Sequence, residues 1–112
     1  MTTEQLVKAE QYIKLCESEF FTGTHSYSFI TKDLETRKAS DTYSTLGSNP
    51  RQTYLLSEKK QVYIKTFNEA EESINLVLNM LQKTYPNHML ISKGERCKKQ
   101  IVELRKLVRD FQ

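Results

Sequence analysis

The stretch that decides the fold runs from Asn49 to Tyr85 and reads NPRQTYLLSEKKQVYIKTFNEAEESINLVLNMLQKTY. It contains no Gly, and no Pro after Pro50. Apolar side chains repeat along it at alternating intervals of four and three residues, at Tyr63, Phe67, Ala70, Ile74, Val77 and Leu81. This spacing is the seam of a helix packed lengthwise against other helices, as in a coiled coil. The stretch therefore predicts the long helix of a helical bundle.

The length of this stretch sets a constraint on the shape of the molecule. Asn49 and Pro50 suit an N-cap and a first helical position, so a helix begins there. An unbroken helix from there to Tyr85 would be roughly 54 Å long at 1.5 Å per residue. A compact chain of this size has a radius of gyration of only about 13 Å. We expect a break near Ser57, with a short helix before it and a long one after it; the alternative is an elongated molecule whose protruding turns another chain covers.

The second half of the long helix is apolar nearly all round its circumference. The residues concerned are Ile74, Leu76, Val77, Leu78, Met80 and Leu81. A surface helix keeps one polar side, whereas a helix that is apolar on every side is buried. We therefore expect this segment to be enclosed.

A first helix is predicted near the N-terminus. Thr2 or Thr3 supplies the capping hydroxyl, and Gln5 follows at the spacing of a capping box. Gly23 is expected to end the helix as a left-handed cap. The apolar stripe repeats every three or four residues, at Leu6, Ala9, Ile13, Cys16 and Phe20.

The last helix is expected from about Lys93 to Phe111, after a stop at Tyr85 and Pro86. Ser92 and Glu95 would form its capping box, although Gly94 weakens that first turn. Its inward positions are Cys97, Ile101, Leu104, Val108 and Phe111. Both cysteines lie on apolar stripes, so Cys16 and Cys97 are interpreted as small core residues; a bridge between them could form only if the chain were exported.

The region from residue 22 to residue 48 is harder to interpret. A helix from about Phe29 to Tyr43 would place Ile30 and Leu34 on one side, but Ser26–Thr31 could also be extended. The fold predicted for residues 1–112 is a single all-α domain, an antiparallel bundle of three to four helices with a long third helix and an uncertain second one.

The net charge of +3 is unevenly distributed: residues 1–56 carry −1 and residues 57–112 carry +4. The basic excess lies on the last helix, where a band of side chains could contact phosphates. The candidate nucleic-acid-binding residues are Lys98, Lys99, Arg105, Lys106 and Arg109. The other interpretation of this band is a solvated helix face.

The sequence offers no support for catalysis or for a cofactor. His25 and His88 have no metal ligand at a usual spacing, and the glycines do not form a phosphate-binding loop. Carboxylates lie on charged faces without an apolar pocket that would raise their pKa. We expect a protein that is not an enzyme and holds no metal or cofactor. Since no long apolar run occurs, association with a membrane is not expected, and the predicted location is cytoplasmic.

The functional hypothesis is a non-catalytic helical module for protein–protein interaction, an adaptor or regulator that binds a partner or forms a homodimer through the long helix. It depends on apolar residues that one thin bundle is not expected to bury, the candidate partner-binding residues Tyr54, Leu55, Val62 and Ile64. The alternatives are a small nucleic-acid-binding regulator that uses the last helix and an immunity-like bundle protein that acts near a membrane.

Overall fold

The computed structural model describes residues 2–44 and 55–112, with side chains through Ala39 and again from Leu55. The described residues form four α-helices and no strand. The helices are α1 (Thr3–Glu17), α2 (Tyr27–Ser44), α3 (Leu56–Thr84) and α4 (Met89–Asp110), and a π-helical turn, Ser18–Thr22, follows α1. The predicted all-α bundle is confirmed.

Helices α3 and α4 form an antiparallel pair that is the main contact of the molecule. α3 ends at Thr84, where the N–H of Tyr85 still donates to the Leu81 carbonyl at 2.7 Å. α4 begins as early as Met89, because Nδ1 of His88 accepts the Leu90 N–H at 3.1 Å and so caps the helix. The predicted start at Lys93 was therefore four residues late.

Because α4 begins earlier than predicted, the residues near its predicted start have different roles. The predicted capping box of Ser92 and Glu95 is wrong, since both residues lie inside α4. Gly94 is not a weak point in a first turn but a point of close contact between helices. A Cβ atom on Gly94 would lie 2.6 Å from Cδ2 of Leu78, so any larger residue there would force the Leu78 side chain to shift.

Helices α1 and α2 follow one another along the α3–α4 pair. Ile13 of α1 lies beside Gly94 near the start of α4. Further along, Gln100 of α4 donates to the Phe20 carbonyl at 3.1 Å. Lys38 of α2 reaches the carbonyl of Gln112, beyond the end of α4. α1 and α2 therefore both run in the direction of α4 and against α3.

The predicted core positions are confirmed on each helix. The buried residues of α1 and its π-helical turn are Ala9, Ile13, Cys16 and Phe20; those of α4 include Cys97, Ile101, Leu104 and Val108. Leu6 and Phe111 pack against this core as partly buried residues. Both cysteines are free thiols in the core, and burial raises the pKa of Cys16 and raises the pKa of Cys97 to about 11.

The first two helices show one confirmed cap and one wrong one. The capping box is present, with the Gln5 N–H donating to the Thr2 hydroxyl at 3.2 Å. The expected left-handed conformation of Gly23 is wrong, because its φ is −94°. A Cβ atom there would lie 2.8 Å from the Ser18 carbonyl oxygen, so the position requires glycine for want of space. Residues 27–44 are helical, so the extended alternative for Ser26–Thr31 is wrong.

The long helix begins at Leu56, within one residue of the break that we expected at Ser57. The short helix predicted before it, with its cap at Asn49 and Pro50, lies outside the described residues. With 29 residues, α3 is roughly 43 Å long. The radius of gyration of 17.3 Å and the longest dimension of 58 Å show an elongated molecule. The long helix thus starts near Ser57, and the molecule is elongated as well.

The predicted enclosure of the second half of α3 is wrong at two residues. Ile74, Leu78 and Leu81 are buried, but Leu76 is 66% exposed and Met80 is 43% exposed. Leu76 follows Ile74 by two residues, which is a rotation of about 200° around the helix, so the two side chains point in opposite directions. Since α1 and α4 cover only two sides of α3, the third side of this segment stays open.

The close contact at Gly94 leads to a stability prediction. Replacing Gly94 with Val should lower the free energy of unfolding by about 1–3 kcal/mol, because the added methyl groups overlap with Leu78. The cost should be smaller in the background of Leu78→Ala, which makes room for the new side chain. Urea denaturation followed by far-ultraviolet circular dichroism measures both values.

The matched control for this prediction is Ser92→Val, an exposed position on the preceding turn of the same helix. It should change the free energy of unfolding by no more than about 0.5 kcal/mol. Equal costs for Gly94→Val with and without Leu78→Ala would contradict the proposed contact.

Candidate protein-binding surface

The open side of α3 borders a shallow groove between α1 and the second half of α3. Its apolar wall consists of Ala9, Tyr12, Leu76, Val77 and Met80. Its polar rim consists of Gln5, Lys8 and Ser73. These residues are called the α1–α3 groove below.

The two sides of the groove differ in shape. Leu76 and Met80 are one helical turn apart and stand out from α3 as a ridge, whereas Ala9 is buried and Val77 is partly buried below them. Tyr12 packs its ring against the core from α1. Burial raises the pKa of the Tyr12 hydroxyl to about 12, so it is uncharged at neutral pH. The groove therefore presents an apolar surface on two helices that the core already holds in place.

Of the predicted partner-binding residues that the structure describes, none lines the α1–α3 groove. Leu55 and Val62 are exposed, and Ile64 is partly buried against the core. Tyr54 lies outside the described residues. Val62 and Met80 are 18 residues, or five turns, apart and therefore face the same side, but roughly 27 Å separates them along the axis. Val62 thus shares the open side of α3 without joining the α1–α3 groove.

The predicted nucleic-acid-binding residues are used unequally by the fold. Nη2 of Arg105 lies 3.0 Å from Oε2 of Glu71, and Nη1 donates to Oδ1 of Asn68 at 3.0 Å. Arg105 therefore links α4 to α3. Nε of Arg109 lies 3.2 Å from the carboxylate of Asp110. The remaining three are half-buried or exposed, namely Lys98, Lys99 and Lys106.

Two lysines from other helices contact the end of α4. Nζ of Lys60, on α3, donates to the carbonyl of Phe111 at 2.5 Å and to that of Arg109 at 3.4 Å. Lys38, on α2, donates to the carbonyl of Gln112. The last carbonyl groups of a helix carry partial negative charge and attract cations. These lysines therefore hold the end of α4 against α2 and α3.

A polar cluster lies at the junction of α1 and α2. Nδ1 of His25 forms a hydrogen bond with Glu19, and the Thr24 hydroxyl donates to Oε1 of Glu19 at 2.5 Å. The His25 ring packs edge-on against Tyr63 and Phe67 of α3. The bond with His25 and the ring contacts attach the junction to the middle of the bundle.

A second set of polar contacts continues from this cluster into α2. The Tyr63 hydroxyl donates to Oδ2 of Asp33 at 2.6 Å, and Asp33 also pairs with Nε of Arg37 at 3.2 Å. Burial, and then the bond to Asp33, raise the pKa of Tyr63 far above its usual value. The contacts fix the rotation of α2 against α3. No periodicity in the sequence pointed to them, because they depend on residues distant along the chain.

Within the described ranges, no group of three or more His, Cys, Asp or Glu side chains is arranged to hold a metal ion. In the same part of the chain, no helix is both long enough and apolar enough to span a membrane. Comparisons of the chain with protein-family models, curated proteins and solved structures gave no match. The α1–α3 groove and the exposed part of α4 therefore have to be interpreted from their own chemistry, and the cytoplasmic location stays a prediction.

The cluster around Glu19 leads to a prediction on the dependence of stability on pH. Hydrogen bonds from Thr24, and then from His25, lower the pKa of Glu19 from its ordinary value of 4.5. A carboxyl group whose pKa is lower in the folded state stabilises the fold above its unfolded pKa, and this stabilisation is lost as the pH falls through the folded pKa. Glu19→Gln should therefore be less stable than the wild type at neutral pH, and the difference should shrink below pH 4.5.

Urea denaturation at a series of pH values measures this difference. The control is Glu103→Gln, an exposed carboxyl group on α4, which should stay within about 0.5 kcal/mol of the wild type at neutral pH. A difference between Glu19→Gln and the wild type that is constant over the whole pH series would show that the carboxylate charge plays no part.

Proposed function

We propose that this protein is a non-catalytic helical interaction module that binds another protein chain through the α1–α3 groove. The observation that carries the proposal is the exposure of Leu76 and Met80 side by side on a helix whose other sides are packed. Contiguous apolar residues with a polar rim are typical of protein interaction sites. Lys8, Gln5 and Ser73 supply such a rim.

The expected affinity follows from the size of the apolar wall. Burying a Leu or Met side chain completely contributes about 1.5–3 kcal/mol. Two such residues supply roughly 3–6 kcal/mol, whereas a micromolar complex needs about 8 kcal/mol beyond the costs of association. A partner must therefore also contact the rim, and we expect Leu76 and Met80 to be the centre of a larger contact.

Both walls of the groove are already held in place by the hydrophobic core before a partner binds. Ala9 of α1 is buried, and Val77 of α3 packs against the core, so neither wall needs to be ordered when a partner binds. An interaction surface that is formed in advance loses less conformational entropy on binding.

The chemistry of the groove supports a non-catalytic role. Its titratable groups are Lys8 and Tyr12, and the raised pKa of Tyr12 moves that hydroxyl away from a general base at neutral pH. The nucleic-acid alternative has less support, because Arg105 is already engaged with Glu71 and Asn68. Lys99 and Lys106 remain available to it. The immunity-like alternative gains no support from the geometry of the groove.

Photocrosslinking from two matched lysine positions tests the proposal. Lys8 and Lys14 are both exposed on α1 and each pairs with a glutamate four residues earlier, but only Lys8 lines the groove. With a photoreactive amino acid at position 8, we expect a defined crosslinked protein in cells that naturally make this chain. The same amino acid at position 14 should give none.

The crosslinked protein is then identified by mass spectrometry, purified and titrated against this chain. Leu76→Glu should weaken that binding at least about tenfold, the equivalent of 1.4 kcal/mol. Met89→Glu is the control, because Met89 is 67% exposed but lies on α4 outside the groove. Equal crosslinking from both lysines, or equal weakening by both glutamates, would contradict the proposal.

A further inference from the structure

We propose that the protein chain bound by the α1–α3 groove is a second copy of this chain, related to the first by a two-fold axis close to Leu76. This inference rests on the proposed function and specifies its partner. The contact would make the protein a symmetric homodimer in which the same surface is used twice.

The shape of the groove fits its own copy. A two-fold contact places one surface patch against the identical patch, so each projection must meet a hollow on the same surface. Leu76 and Met80 form the projection, and the hollow lies next to it on the α1 side, above the small side chain of Ala9. Rotation by half a turn about an axis that passes between this ridge and this hollow lays the ridge of each copy over the hollow of the other.

The charges beside the groove have the signs that such a rotation requires. Lys8 lies on the α1 side, and the exposed Glu72 lies on α3, one residue before Ser73 of the rim. The rotation carries Lys8 of one copy across the groove toward Glu72 of the second copy, and the same pair forms again on the other side of the axis. Within one copy Lys8 pairs with Glu4 at 3.7 Å, and both side chains are largely exposed, so little stability is lost when Lys8 changes partner.

The dimensions of the molecule leave room for this contact. A standard interface buries about 800 Å² on each partner. The elongated bundle measures 58 × 23 × 19 Å, so its broad side is large enough for an interface of that size. The exposed Val62, five turns before Met80 on α3, adds an apolar position on the same side of the helix beyond the groove.

The oligomeric state of the full chain tests the inference. Sedimentation equilibrium of the wild type should show a concentration-dependent dimer. Leu76→Glu should raise the dissociation constant at least about tenfold, which is 1.4 kcal/mol, because each copy would then place a charged side chain in the apolar hollow of the other. Met89→Glu should leave the constant within about twofold of the wild type, less than 0.5 kcal/mol. A wild type that stays monomeric at roughly millimolar concentration, the range of the weakest specific complexes, overturns the inference.

A charge exchange tests the register of the two copies. Lys8→Glu and Glu72→Lys should each weaken the dimer, since each places like charges opposite one another. The double variant Lys8→Glu, Glu72→Lys should restore dimerisation, because the opposite signs face one another again. Failure of the double variant to recover any affinity would overturn the proposed two-fold arrangement.

The outcomes separate this inference from the proposed function. A monomeric wild type whose position 8 crosslinks to a different protein overturns the homodimer and supports the interaction module. A monomer that crosslinks to nothing from position 8 overturns both. Crosslinks between two copies from position 8, absent from position 14, support both.

Discussion

The contact between α3 and α4 is the constraint on which the rest of the structure depends. It is closest where Leu78 meets Gly94, and it continues toward the other end of the pair, where Arg105 bonds to Glu71 and Asn68. Two antiparallel helices of this length leave one long trough between them, which another apolar surface must fill. Neither α1 nor α2 is as long as α3, so the two helices share the trough in succession. The elongated shape is a direct consequence.

The division of the trough explains where polar chemistry enters the interior. Between α1 and α2 the chain has to leave one helix and start the next while staying in contact with α3. The π-helical turn and Gly23 make this change within a few residues, and the backbone comes too close to Ser18 for any side chain at position 23. Next to this turn, His25 and Glu19 form a hydrogen bond with one another, and the His25 ring packs against Tyr63 and Phe67. The cluster thus lies where the chain passes from α1 to α2, and it attaches that junction to α3.

The sequence predicted those features that depend on helical periodicity, and it failed where a residue's role depends on a distant neighbour. The spacing of Ile13, Phe67 and Ile101 was enough to place the core, because a helix with a period of 3.6 residues buries one stripe. The N-cap of α4 was assigned to the wrong residue. Ser92 and Glu95 are residue types that usually form a capping box, whereas histidine is not a usual N-cap residue. Gly94 was interpreted as a residue that weakens the helix, because the sequence around it does not show that Leu78 of α3 packs against this position.

The open side of α3 could be predicted only in part for a similar reason. Periodicity counts apolar residues around a helix, but it does not say how many neighbouring helices are present to cover them. Six apolar residues between Ile74 and Leu81 indicated complete enclosure, and two covering helices were available instead of three. Leu76 and Met80 lie on the side of α3 that no third helix among the described residues covers. The sequence predicted an interaction surface at Tyr54, Leu55, Val62 and Ile64, whereas the surface that we propose lies around Leu76 on α3.

Exposed apolar residues such as Leu76 and Met80 increase the risk of aggregation, so their presence on a surface indicates an interaction site. Leu76 and Met80 lie outside the hydrophobic core, and a polar residue at either position would suit the exposed side of α3 with less risk of aggregation. The neighbouring outward positions follow that rule, since Glu69, Glu72 and Lys83 are charged. An apolar pair within an otherwise charged face is consistent with a site that is covered in the functional state. We propose that a second copy of the chain covers this pair, because the groove has both a ridge and, beside it, a hollow that the ridge of another copy can enter.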